Sequence, residues 1–138
     1  NISQIPESII NKWIEEKIII YHNFRDNLKE LYEMSHCVIL PSYREGFPRV
    51  LMEASAYGRP ILASNVPGCN EIVKNNYNGF IFEKKSSNSI VNAIKKFINL
   101  KYEEKIKLST NAKKYAEDNF NQDKQISKYL NLLIYEQK

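Results

Sequence analysis

The sequence is short of the residues that announce a metal centre, a stapled secreted scaffold or a membrane span. Only two cysteines, Cys37 and Cys69, occur in 138 residues, and they form no C-x-x-C pair. The two histidines, His22 and His36, stand at no ligand-like spacing to the cysteines or to each other, which argues against zinc. Cys37 opens an apolar run and Cys69 follows Pro67-Gly68, so both read as reduced thiols of a cytosolic protein. Glycine is scarce at 4 residues, which excludes collagen-like and low-complexity chains. Apolar runs such as Ile18 to Tyr21 are far below the ~20 residues that cross a bilayer, leaving at most peripheral membrane contact. A basic block is missing too: 20 Lys and Arg against 16 Asp and Glu give +4, spread along the predicted helices, which weakens a nucleic-acid reading.

What is present is ordinary globular composition, 43% hydrophobic and 26% charged. A chain of this size buries roughly two thirds of the surface its unfolded form exposes. The nine tyrosines and six phenylalanines fall mostly at apolar periodic positions and read as core. The chain opens at Asn1, without an initiator methionine and directly before a helix-like segment, which reads as a piece of something longer.

Along the chain, Ser3 to Glu16 carries Pro6 near a helix start and Ile9, Ile10, Trp13 and Ile14 at helical spacing. Trp13 reads as packing. The β-branched run Lys17 to Tyr21 predicts a strand, His22 to Asp26 a loop, and Leu28, Leu31 and Tyr32 a helix reaching Ser35. Cys37 to Leu40, closed by Pro41, predicts a parallel strand covered on both faces. A helix follows from Pro48 to Tyr57, with proline before it and Gly58 behind. Ile61 to Ala63 is the next strand, Asn70 to Val73 a short helix that Glu71 could cap, and Phe80 to Phe82 a strand entered through Asn78-Gly79. Ser86 to Asn99, Tyr102 to Asp118 and Gln122 to Tyr135 have helical periodicity, the first capped by Ser86 or Ser87. Strands alternating with helices predict a doubly wound, Rossmann-like α/β domain with a parallel sheet and flanking helices over 1–120, then a C-terminal helix over 121–138.

The segment that carries chemistry is Pro41-Ser42-Tyr43-Arg44-Glu45-Gly46-Phe47-Pro48-Arg49-Val50-Leu51-Met52-Glu53, which leaves a strand and opens a helix. Ligands of open parallel sheets bind beyond the carboxyl ends of strands, and Gly46 lets a backbone approach closely there. The first amides of a helix starting near Pro48, those of Arg49, Val50 and Leu51, suit a phosphate or diphosphate. Glu45 before the helix and Glu53 about one turn beyond those amides would repel such an anion unless they accept hydrogen bonds from neutral hydroxyls. A nucleotide sugar has those hydroxyls on both sides of its diphosphate, with Glu53 suited to the ribose and Glu45 to the hexose. Arg44 and Arg49 read as solvent-facing, and His36 as a local hydrogen-bonding residue.

The Glu45-x7-Glu53 spacing, the Glu-Gly-Phe-Pro opening and the run Gly58-Arg59-Pro60-Ile61-Leu62-Ala63-Ser64-Asn65-Val66-Pro67-Gly68 resemble the donor-binding domain of GT-B glycosyltransferases of family 4, from about Pro6 to Phe120. The resemblance implies that Glu45 contacts the transferred sugar, that Gly46 and Phe47 give backbone contacts to sugar and phosphate, that Val50 and Leu51 bind the diphosphate, and that Glu53 binds the ribose. His22-Asn23-Phe24-Arg25 resembles the loop beside the nucleobase, with Asn23 where glycine is usual. Glu71 corresponds to a residue near the donor pocket.

The family further implies a retaining hexosyl transfer from a UDP-sugar to a glycan or lipid-linked acceptor in bacterial surface polysaccharide synthesis, in the cytoplasm or at the inner membrane face. No Asp-x-Asp occurs, in keeping with chemistry that uses no metal and no cofactor. Two strands that normally begin the donor domain, with their Gly-Arg and Lys-Gly, are absent, as is the acceptor domain. In the 3-2-1-4-5-6 order those strands would separate Lys17–Tyr21 from Cys37–Leu40. The chain is therefore expected to be inactive alone, and to pair those two strands directly, to borrow pairing from another copy through its unfilled sheet, or to be part of a longer protein. A remnant module that keeps the fold without binding donor is the rival reading. A GT-B sugar epimerase would need an acid and base that the sequence does not offer.

Overall fold

The computed structural model describes residues 5–121 and 126. The elements are α1 (Glu7–Glu15), α2 (Lys29–Met34), β1 (Val38–Leu40), α3 (Arg49–Ala56), β2 (Ile61–Ser64), α4 (Pro67–Ile72), β3 (Gly79–Phe82), α5 (Ser87–Asn99) and α6 (Tyr102–Asn119). The expected helix over Gln122 to Tyr135 lies outside the described residues apart from Ile126.

The three strands form one parallel sheet in the order β1-β2-β3. Val38 pairs with Ile61, and Ile61 with Gly79, so the strands start nearly level. Side chains alternate across a strand, and the two faces of the sheet found two cores. Ile61 and Ala63, flanked by Val38, Leu40 and Ile81, pack with Leu51 and Ala54 of α3, Cys69 and Ile72 of α4, and Tyr32 of α2. Leu62, Phe80 and Phe82 face the other way, onto Ala93 and Phe97 of α5 and Leu108 of α6. All four residues of β2 are buried, as a central strand with helices on both sides requires. This is the Rossmann-like α/β layering expected of the sequence.

Local chemistry sets the ends of the helices. Ser86 caps α5, accepting from the Ser89 amide at 3.2 Å, and Lys101 N–H donates to Glu104 Oε2 at 2.8 Å at the start of α6. Leu108, Ala112 and Ala116 form the buried stripe of α6, and the two alanines let its axis come close to α3. Ser109 Oγ then reaches Gly58 O at 2.6 Å, tying α6 to the end of α3.

Three expectations are corrected. Lys17 to Tyr21 is not a strand. Lys17 takes a left-handed φ of 56°, and Lys17 N–H and Ile18 N–H donate back to Ile14 O and Trp13 O, the reciprocal pattern that closes a helix end. A β-branched run becomes a strand only when a neighbouring ladder receives its amides, and among the described residues none does. It follows that the direct pairing of this segment with β1 is not formed either. Second, β1 is covered on one face only: Ile39 is 39% exposed, because α5 reaches β2 and β3 but leaves the edge strand open. Third, α4 begins at Pro67, three residues earlier than expected, because proline fits the first helical position. Glu71 consequently sits in the last turn and caps nothing.

Candidate functional site

The loop from Pro41 to Pro48 leaves the C-terminal end of β1 and turns into α3, and Asn65 with Val66 leaves the same end of β2 and turns into α4. The two connections meet at Gly68. A Cβ placed on Gly68 would lie 2.2 Å from Gly46 O and 2.7 Å from Glu45 O, so only glycine allows the start of α4 to lie against the Glu45–Gly46 backbone. Cys69, the next residue, is fully buried, and burial first, then the Glu45 carboxylate, pushes its thiol up to about 11. Glu45 itself is half-buried and accepts a hydrogen bond from Ser42 Oγ at 2.5 Å.

Gly46 behaves differently from Gly68. An added Cβ there meets nothing within 4 Å, and its φ is not in the left-handed region. The fold places no demand for glycine at this position. Phe47, half exposed, sets its ring edge-on to Phe120 at 5.8 Å and so anchors the loop to the end of α6.

At the start of α3, Pro48 is the N-cap and supplies no side-chain cap. Leu51 N–H donates to Pro48 O at 3.1 Å and the Leu51 side chain is wholly buried, which leaves the Arg49 and Val50 amides as the ones without an intrahelical acceptor. Glu53, one turn on, is half-buried and has two neighbours. Tyr32 Oη donates to its Oε2 at 3.1 Å, and Arg49 Nη2 lies 3.6 Å from its Oε1. The Arg49 side chain is 89% exposed, so that pair is screened and contributes little.

Six residues read from the sequence, Glu45, Gly46, Phe47, Val50, Leu51 and Glu53, are thus brought to one end of the sheet around the start of α3. The His22–Arg25 loop is not joined to them by hydrogen bonds: Arg25 Nη2 lies 3.1 Å from His22 Nδ1 and Phe24 is 91% exposed. Glu71 is exposed, and its carbonyl accepts from Tyr115 Oη at 2.7 Å. The sequence reading missed Tyr32 and the close approach of Gly68. For Gly68 a signal existed, since glycine at the second position of a helix is unfavourable unless something must come close. For Tyr32 none did, because 21 residues separate it from Glu53. Among the described residues no group of three or more His, Cys, Asp or Glu is placed to hold a metal ion, and no helix is long and apolar enough to cross a membrane.

Residues 4–117 match the family model of glycosyl transferases group 1. The chain belongs to that family. Among curated relatives, this glycosyl transferase domain is 29% identical over 131 residues to the N,N'-diacetylbacillosaminyl-diphospho-undecaprenol alpha-1,3-N-acetylgalactosaminyltransferase of Campylobacter jejuni, covering 95% of this chain and 34% of the relative. It is also 29% identical over 124 residues to the UDP-Gal:alpha-D-GlcNAc-diphosphoundecaprenol alpha-1,3-galactosyltransferase of Escherichia coli, covering 86% of this chain and 30% of the relative. Its fold is similar to that of Anabaena HepE, solved in complex with UDP-glucose, with a TM-score of 0.73 at 25% identity, covering 91% of this chain and 37% of that one. The group 1 glycosyl transferase domain therefore spans about a third of the length of these proteins, and its architecture is that of a GT-B glycosyltransferase domain.

Proposed function

We propose that this domain is the donor side of a retaining, family 4 glycosyltransferase that moves a hexosyl group from a nucleotide-diphosphate sugar, most simply a UDP-sugar, to a glycan or lipid-linked acceptor in bacterial surface polysaccharide synthesis. The observation that carries this reading is the contrast between two glycines. Gly68 is glycine because the Glu45–Gly46 backbone lies on it, whereas Gly46 is glycine although the fold leaves its Cβ direction empty. A side-chain-free position on an exposed loop at the carboxyl end of a parallel sheet is one where a ligand can touch backbone.

In this reading the diphosphate lies at the start of α3, where the Arg49 and Val50 amides and the helix dipole favour negative charge, with Leu51 completing the turn. Gly46 and Phe47 offer backbone to the sugar and its phosphate, Glu45 accepts from a hydroxyl of the transferred hexose, and Glu53 accepts from the ribose. As the bond from the anomeric carbon to the diphosphate breaks, charge grows on the leaving oxygens. The helix terminus is already oriented to meet that charge without a metal. The acceptor hydroxyl closes the new bond to the anomeric carbon and passes its proton to the departing diphosphate, a step that needs the acceptor-binding part of a longer protein. The domain alone is expected to bind donor without turnover, in a cytoplasmic setting or at the inner membrane face.

Calorimetry with UDP on the full chain tests this. Binding should weaken about tenfold or more in Glu53→Ala, and Gly46→Ala should weaken UDP-sugar binding while leaving the melting temperature as it was. Absence of UDP binding by the unsubstituted chain would favour a noncatalytic module that keeps the fold.

A further inference from the structure

Glu53 is a flexible side chain asked to meet two vicinal hydroxyls at once. A carboxylate on a helix surface samples several rotamers, and holding it in one costs side-chain entropy at the moment of binding. The structure contains a device that removes most of that freedom in advance. Tyr32, on α2, is buried at 4% exposure and its ring stacks on Tyr57 with centroids 5.2 Å apart and planes 15° from parallel. Its hydroxyl lies 3.1 Å from Glu53 Oε2 and 3.3 Å from Val50 O, so one proton is shared between the carboxylate and the first turn of α3. Arg49 cannot serve the same purpose, being almost fully exposed and 3.6 Å from Oε1.

We propose that Tyr32 is a positioning residue for donor recognition: by holding Glu53 Oε2 it turns Oε1 outward to accept the vicinal hydroxyls of a nucleotide ribose. The inference rests on the donor-site reading given above. A carboxylate has about four acceptor positions, so with one oxygen engaged by Tyr32 the other, beside the exposed Arg49 guanidinium, keeps acceptor positions for ligand. Burial, and then the hydrogen bond to Glu53, hold the Tyr32 phenol well above its ordinary range, which keeps the hydroxyl a donor across physiological pH. The same hydroxyl also registers the backbone of Val50, whose amide stands at the diphosphate end. Carboxylate and amide are thus set relative to one another by a single rigid ring.

The test uses UDP and its 2′,3′-dideoxy analogue as probes, titrated calorimetrically against the full chain. The unsubstituted chain should prefer UDP. Tyr32→Phe keeps the stacked ring and removes only the hydroxyl; it should weaken UDP roughly tenfold, equivalent to ~1.4 kcal/mol, while changing the dideoxy analogue little, so that the preference collapses. A purely structural role would weaken both probes equally, and that result, or unchanged UDP binding, overturns the proposal. As a second arm, Tyr32→Phe introduced into Glu53→Ala should have no further effect on UDP, because Tyr32 acts through Glu53. An additional loss there also overturns it. If the unsubstituted chain ignores UDP, the donor reading falls and takes this inference with it. If the chain binds UDP and Tyr32→Phe leaves the ribose preference intact, only the role of Tyr32 falls.

Discussion

Two short apolar runs in this chain meet opposite fates. Ile61-Leu62-Ala63-Ser64 becomes β2, the middle strand, with every residue buried and a parallel neighbour on each side. Lys17-Ile18-Ile19-Ile20-Tyr21, which is richer in β-branched residues, forms no strand and leaves Ile18, Ile20 and Tyr21 at 63%, 84% and 54% exposure. The α1 helix before it likewise buries none of its residues, although Ile9, Ile10, Trp13 and Ile14 make one apolar face. Propensity marks which residues can occupy a strand or a packed face. Whether they do so depends on a partner that lies elsewhere in the chain or outside it.

The sharpest test of that contrast replaces the same residue type on each side of it. Ile61→Ala removes a side chain with no exposure from the junction of β1, β2, α3 and α4, packed on every side by the same core cluster. It should cost about 2–5 kcal/mol in denaturant unfolding. A loss below ~1 kcal/mol would mean that β2 is not the centre of the packed half.

A smaller effect separates the packed half by pH. The Cys69 thiol keeps its proton in the folded chain to about pH 11, chiefly because it is buried and secondarily because Glu45 is near, whereas the unfolded thiol releases its proton near 9. Between those values the unfolded state binds fewer protons, so stability falls as pH rises. The loss amounts to about 2 kcal/mol by pH 11, since each tenfold difference in proton affinity between the folded and unfolded thiol is worth ~1.4 kcal/mol. Tyr32, raised in the same direction from an unfolded value near 10, adds to the decline from about pH 10 upward. Unfolding curves from pH 8 to 11 should show the fall, and Cys69→Ala should lessen its slope even though its starting stability is lower, with the remainder left to the Cys37 thiol, which burial also pushes up, and to Tyr32. An equal slope in both proteins would place the titrating group elsewhere.

The parts of the fold that could be read from sequence are those whose signals are local. Ser86 before α5, Pro48 and Gly58 around α3, and Asn78-Gly79 before β3 mark boundaries within a residue or two of those observed. The Glu45 to Glu53 segment was legible for the same reason, since a loop and the helix it opens are contiguous in sequence. What escaped was everything created by packing distant segments together. The Lys17–Tyr21 run has strand composition but no ladder, Ile39 has core composition but no helix above it, and the Tyr32 hydroxyl reaches Glu53 only because α2 packs across α3. Gly68 stands between these cases: its identity was visible, while the backbone it must clear was not.

The smallest expected effect lies on the exposed side of the comparison. Ile20→Ala deletes the same atoms as Ile61→Ala, from a side chain 84% exposed in a segment with no ladder. It should change the stability of the chain by less than ~0.5 kcal/mol, as surface substitutions do. The two isoleucines would then differ about fourfold or more in cost despite identical chemistry, which isolates the partner as the variable. A loss comparable to that of Ile61→Ala would show that the segment is covered in solution. Repeating the melt at several protein concentrations tells by what: a midpoint that rises with concentration identifies a second copy, because association stabilises by mass action, and a constant midpoint identifies cover from within the chain itself.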